Sequence, residues 1–229
     1  VQKPTPAVKQ TPPARPAPFL LEIGTEELPA AELRSALDQL AERVPALLDE
    51  LRLEHGKVSI LGTPRRLVVS VENMADQQTP RTTVVKGPPE SRAFESDGKP
   101  SRALEGFAKS KGLEVGDLEV REIDGGKYMV ALVKESTRSA YDVLHEALPA
   151  LAAGIKFEKS MRWNSTNVAF SRPVRWLLAL IGSAAVPFEY AGLTAGAATH
   201  GLRFIEPQEM PVKDAADYFA KLKAQGILL

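Results

Sequence analysis

No cysteine occurs in the 229 residues, which excludes disulfides, a thiolate nucleophile and cysteine-ligated zinc or iron–sulfur centres, and fits a cytoplasmic address. Charge of one sign is also missing. Lys+Arg and Asp+Glu each number 29, so no global field draws the chain onto a polyanion or an anionic membrane, and any such partner must be met by a local patch. Long apolar runs are absent too: "WLLALIGSAAVPF" is broken by Gly182 and Pro187 and is too short to span a bilayer. The three histidines, His55, His145 and His200, sit in separate segments and form no metal-binding pair, so no metal site is expected. No dinucleotide or P-loop glycine pattern, nucleophile elbow or kinase motif is present, and no cofactor or catalytic residue is expected in this chain.

What is present is a chain that is 44% hydrophobic, enough to bury one large core or two small ones. Residues 1–18 are rich in proline, carry three basic and no acidic side chains, and lack the apolar stretch of a signal peptide. They are expected to form a semi-rigid linker following some upstream part of the protein. Without them, 26 basic residues face 29 acidic ones.

"FLLEIG" predicts a strand, and the spacing of Leu33, Leu37, Leu40, Val44, Leu47, Leu48 and Leu51 predicts an amphipathic helix that kinks at Pro45 or restarts there and ends by Gly56. "VSIL" and "LVVSV" flank "GTPRR", a strand pair whose turn displays Arg65 and Arg66. Glycine, proline and charge predict a loop over 84–98. Ser101 caps a short helix that stops at Gly112, and "LEVREIDGGKYMVALV" predicts a hairpin. A helix over 140–153, mostly strand from Phe157 to Phe204, and a last helix before Gly226 complete the reading. The order favours an α+β fold with mixed or antiparallel sheets and packed amphipathic helices. Two subdomains are expected, over 19–85 and 86–229.

Both tryptophans follow arginines in "RWNSTNVAFSRPVRW". Trp176 opens a strand apolar on both faces and belongs to a core, with Arg172 and Arg175 near its entrance. Trp163, among polar residues and beside Arg162, is either a stacking platform for a base or a hydrophobic plug. Arg65 and Arg66 have the geometry to grip phosphate, and His200 has a place on a turn beside Arg203 from which to touch a ligand. Glu22, Glu26 and Glu27 suggest acid–base or metal chemistry only weakly, because Glu26 and Glu27 precede a helix N-terminus where negative charge offsets the dipole.

Taken together, "FLLEIGTEELPA", "LGTPRRLVV", "VVKGPPESRAFESDGKPSRALEGFAKSKG", "GKYMVALV", "KSMRW" with "FSRPVRWLLAL", and "THGLRF" occur in the order seen in the β subunit of bacterial glycyl-tRNA synthetase. The chain resembles that family from Phe19 to its end. The resemblance implies a partner α subunit, or fused α domain, with a class II core that uses ATP to form glycyl-adenylate. It also implies that the β part serves tRNA(Gly) recognition, and that the proline-rich leader looks like the joint of a fused chain. In the family the β chain continues into an HD-like and an anticodon-binding domain, while its N-terminal part is related to a tRNA-binding body and to an editing-type domain. One departure is plain: the family's "RGHRF" is "HGLRF" here, with Leu202 in place of the histidine, although Arg203 and Phe204 match. Candidate tRNA contacts are therefore Arg65, Arg66, Arg162, Trp163, Arg172, Arg175, His200 and Arg203. A scaffold joining the α and β parts, and an editing-like deacylase, are the alternatives. Guanidinium groups that are scattered, or locked onto carboxylates, would favour the scaffold.

Overall fold

A computed structural model describes residues 13–95, 98–205 and 208–229; most of the expected linker lies outside the described residues. In chain order the elements are β1 (Ala17–Thr25), α1 (Ala30–Glu50), β2 (Val58–Thr63), β3 (Arg66–Met74), β4 (Thr82–Pro89), α2 (Arg102–Ser110), β5 (Glu119–Ile123), β6 (Gly126–Lys134), α3 (Ala140–Gly154), β7 (Val174–Ile181), β8 (Ala184–Ala185), β9 (Glu189–Tyr190), β10 (Leu193–Thr194), β11 (Ala198–His200), β12 (Glu209–Pro211) and α4 (Ala215–Ala224). This is an α+β fold with antiparallel sheets. No described helix is long and apolar enough to cross a membrane.

The chain forms two compact units, one running through Gln78 and resuming at Arg138, the other spanning Thr79–Thr137. The first unit breaks off at Gln78 and takes the second as an insertion. The reason is strand pairing: β7, which follows the insertion, pairs with β1 from Phe19↔Ile181 to Thr25↔Val174, so the first core needs both ends of the chain.

In the first unit the strand order is β2-β3-β1-β7-β8. Side chains alternate across a strand, and here both faces are covered. Phe19, Leu21 and Ile23 of β1 share a core with Ala36, Leu40, Val44 and Leu48 of α1 and Leu144 and Leu148 of α3. Leu20 joins Val68, Leu178 and Leu180 in a second core with Met210, Tyr218 and Leu222 on the opposite face. A strand buried on both sides has no solvent face for a charge. Glu22, in the middle of β1, is the exception that positions the site below.

Helix α1 continues through Pro45 rather than restarting there, and it ends before Gly56. Arg52 adopts a left-handed φ of 56°, and the Leu53 N–H closes on the Leu48 carbonyl at 2.9 Å, a Schellman-type stop. The β2–β3 hairpin forms as expected, its two-residue turn at Pro64 and Arg65 lying between paired Thr63 and Arg66. Between Ile155 and Pro173 the predicted strand is missing apart from a single bridge, Met161↔Phe170.

The second unit is a three-stranded sheet, β4-β6-β5, with α2 on it. The loop expected over 84–98 is instead strand as far as Pro89, because Thr82–Lys86 pair with β6 and the prolines fall where the register breaks. Ser101 caps α2 by accepting from the Leu104 N–H at 3.3 Å. The β5–β6 turn has positive φ at Asp124 and Gly125, 53° and 77°, as a type I′ hairpin requires.

Candidate nucleic-acid interface

At one end of the five-stranded sheet, β1 steps from Gly24↔Trp176 to Thr25↔Val174, one residue on β1 against two on β7. Arg175 is the extra residue of this β-bulge, a device that re-aims a side chain. It donates from Nε to Glu26 Oε1 at 2.8 Å, while Arg203 donates from Nη2 to Glu26 Oε2 at 3.0 Å. The backbone gathers the neighbouring loops at the same end. Thr25 N–H reaches the Arg65 carbonyl at 2.8 Å, Glu26 N–H the Pro173 carbonyl at 3.0 Å, and Leu28 N–H the Pro64 carbonyl at 2.6 Å.

Behind this rim lies a buried polar cluster. Glu22 is fully buried and Arg66 is 2% exposed, with Nη1 and Oε1 3.2 Å apart. Thr199 donates to the other Glu22 oxygen at 2.6 Å, and Arg66 Nη2 donates to the His200 carbonyl at 3.0 Å. The Trp176 indole N–H and the Tyr218 phenol face the same carboxylate without a fully aligned hydrogen bond. Burial pushes the Glu22 carboxyl above the usual carboxylate range, opposed by Arg66 and the Thr199 hydroxyl. Burial likewise lowers the His200 imidazole and, as the largest cause, raises the Tyr218 phenol. The Trp176 ring packs 4.6 Å from that of His200, with Arg65 and Arg66 each 5.7 Å from its centroid. Gly24 makes room for this indole, since a Cβ there would lie 1.9 Å from Trp176 Cε2.

Arg66 is thus not displayed at a turn tip: it is the buried partner of Glu22, because an isolated carboxylate in an apolar strand requires a cation beside it. Arg65 stays partly exposed over Trp176. Arg175, Arg203 and His200 come to the same sheet end. Arg162 and Arg172 do not join them through any such contact; both are exposed and donate to the carbonyls of Asn167 and Ser171 at 3.1 and 2.9 Å. The Trp163 ring lies partly buried against the main core. Trp176 is buried, as expected.

Three residues were missed as site members. Glu26 holds two arginines rather than serving only a helix terminus, and Phe204 is 92% exposed beside Arg203. Glu22 could have been found, as a lone charge inside "FLLEIG" demands a buried partner. Among the described residues no group of three or more histidine, aspartate or glutamate side chains is placed to hold a metal ion. A pocket of about 420 Å³ elsewhere in the first unit is lined by His145, Glu146, Pro149, Phe188, Glu189 and Thr194.

The chain is 43% identical over 211 residues to the glycine–tRNA ligase β subunit of Desulforamulus reducens, covering 92% of this chain and 30% of that one. It is 44% identical over 211 residues to the β subunit of Moorella thermoacetica, again 92% and 30%, and 44% identical over 213 residues to a chloroplastic/mitochondrial glycine–tRNA ligase of Arabidopsis thaliana, 93% and 20%. It therefore spans less than a third of the length of these relatives. A family model described as glycyl-tRNA synthetase beta subunit matches residues 19–229, from the first residues of β1 to the last residue, and the chain belongs to that family.

Proposed function

We propose that this chain supports the binding and positioning of tRNA(Gly) for a glycine–tRNA ligase in which the α subunit, or a fused α part, activates glycine with ATP in the cytoplasm. The observation that carries the reading is the pair of guanidinium groups, Arg175 and Arg203, each 53% exposed and fixed at one sheet end beside Arg65. Cations on well-anchored backbone are what phosphate recognition needs, and membership of the family supplies the RNA. With 29 charges of each sign, binding by the chain alone is weak and falls steeply with salt. Titrating tRNA at low and moderate ionic strength tests this. Affinity independent of salt, or unaltered when Arg65, Arg175 and Arg203 are replaced together by alanine, counts against it.

The scaffold reading is favoured by a specific observation: Arg66, Arg175 and Arg203 all sit on carboxylates, and Arg66 is buried. It predicts that backbone amides around Glu26 are protected by the α part and not by tRNA.

A further inference from the structure

Among the described residues, exposed arginine–carboxylate pairs such as Arg34–Asp38, Arg121–Glu119 and Arg138–Glu146 join one cation to one anion. Glu26 differs. Its two oxygens take two arginines from distant segments, and each arginine spends a single N–H donor on it, Nε of Arg175 and Nη2 of Arg203. Both guanidinium groups keep further donors, and both are drawn to the two oxygens of one carboxylate. The trio carries a net charge of +1. Glu26 is only 22% exposed, so it anchors the cations from beneath while their outer halves meet solvent.

The backbone under both arginines is fixed. Arg175 sits in the β7 bulge. Arg203 lies in a turn held by the Gly201 N–H on the Gln208 carbonyl at 2.7 Å and by the Leu202 N–H on Gln225 Oε1 at 3.3 Å. Each arginine is held on Glu26 before a ligand arrives, which is the advantage of preorganisation. Next in sequence stands Phe204, 92% exposed, an unusual place for a large apolar ring. An exposed ring one residue from a phosphate-gripping guanidinium offers a base a stacking surface.

We propose that Arg175 and Arg203, braced by Glu26, bind one phosphate group of a nucleotide strand, and that Phe204 stacks on the adjoining base. The site rests on the RNA-positioning reading and adds to it the ligand group, the anchor and the aromatic contact.

The test uses the 229-residue chain. Inorganic phosphate is titrated while the arginine Nε–Hε NMR signals are followed, and tRNA binding is measured separately. The Arg175 and Arg203 signals move with phosphate and the Arg34 signal does not. Arg175→Lys and Arg203→Lys keep the charge but lose the planar fork, and each weakens phosphate binding about fivefold or more. Glu26→Gln also weakens it, although it raises the net charge, because the guanidinium groups lose their brace. Phe204→Leu leaves phosphate binding unchanged and weakens tRNA binding about fivefold or more. Unmoved signals, lysine variants equal to the wild type, or tighter phosphate binding by Glu26→Gln overturn the site, even if tRNA binds elsewhere on the chain. Phosphate binding without tRNA binding at low salt removes the RNA-positioning reading, and the nucleotide assignment with it. Loss of α-part binding but not tRNA binding on Phe204→Leu assigns the ring to a protein partner and overturns the stacking contact.

Discussion

Glu22 and Arg66 meet across β1 and β3 at 3.2 Å, a charged pair sealed inside a sheet covered on both faces. Two desolvated ions stay together because neither tolerates the loss of the other. Arg66→Ala, which strands the carboxylate, is expected to cost about 3–5 kcal/mol in urea denaturation. Replacing both partners, Glu22→Leu with Arg66→Met, is expected to cost much less than the sum of the two single changes.

Protonation of Glu22 gives a second expectation. Its folded-state value is raised above the ordinary 4.5, so the folded state binds the proton more tightly than the unfolded chain. The favourable contribution is complete below 4.5 and is lost as pH rises through the folded-state value. Stability relative to Glu22→Gln, which cannot titrate, therefore falls with rising pH over that window. Parallel denaturation curves for the two proteins, measured from acidic to neutral pH, check the sign.

Gly24→Ala would place a methyl group 1.9 Å from Trp176 Cε2, so the indole has to move. Overpacking of this kind costs about 1–3 kcal/mol. In a Trp163→Phe background, where Trp176 is the sole indole, its fluorescence should shift to the red as the ring leaves its buried seat.

Outside the site, the Gln39 amide pins the chain beyond α3 from both sides, donating to the Lys156 carbonyl at 2.7 Å and accepting from the Lys156 N–H at 2.8 Å. Its neighbour one turn on, Arg43, donates to the Gly154 carbonyl at 2.7 Å, closing an open helix end. Gln39→Ala removes both hydrogen bonds to Lys156, with a third to the Ser35 hydroxyl on its own helix, and is expected to cost about 1–2 kcal/mol. Faster hydrogen exchange at the Lys156 amide would show the release directly.

Much of the fold was legible because it follows local patterns. The leucine spacing of α1, the Ser101 cap and the Asp124–Gly125 turn each announce themselves within a few residues. β4 was hidden because Gly87, Pro88 and Pro89 resemble loop composition, and only pairing with β6 reveals the strand. The site was half legible. Arg65, Arg175 and Arg203 could be named from their residue type, but the partners of Arg66 and Glu26 lie in β1 and beyond residue 170, and nothing local encodes a meeting across such separations. The polar neighbours of Trp163 likewise give no local sign that its ring is partly buried against the core.

The insertion carries a consequence for how this protein can change. Where the chain leaves the first unit and where it comes back, the two stretches are stitched together: Gln78 N–H to the Arg138 carbonyl at 3.0 Å, Arg138 N–H to Gln78 Oε1 at 3.2 Å, and Gln77 bridged to Ser139. Entry and exit share one doorway, so a brief splice from Gln78 to Arg138 in place of Thr79–Thr137 is expected to leave the sheet that leads into Glu26 folded.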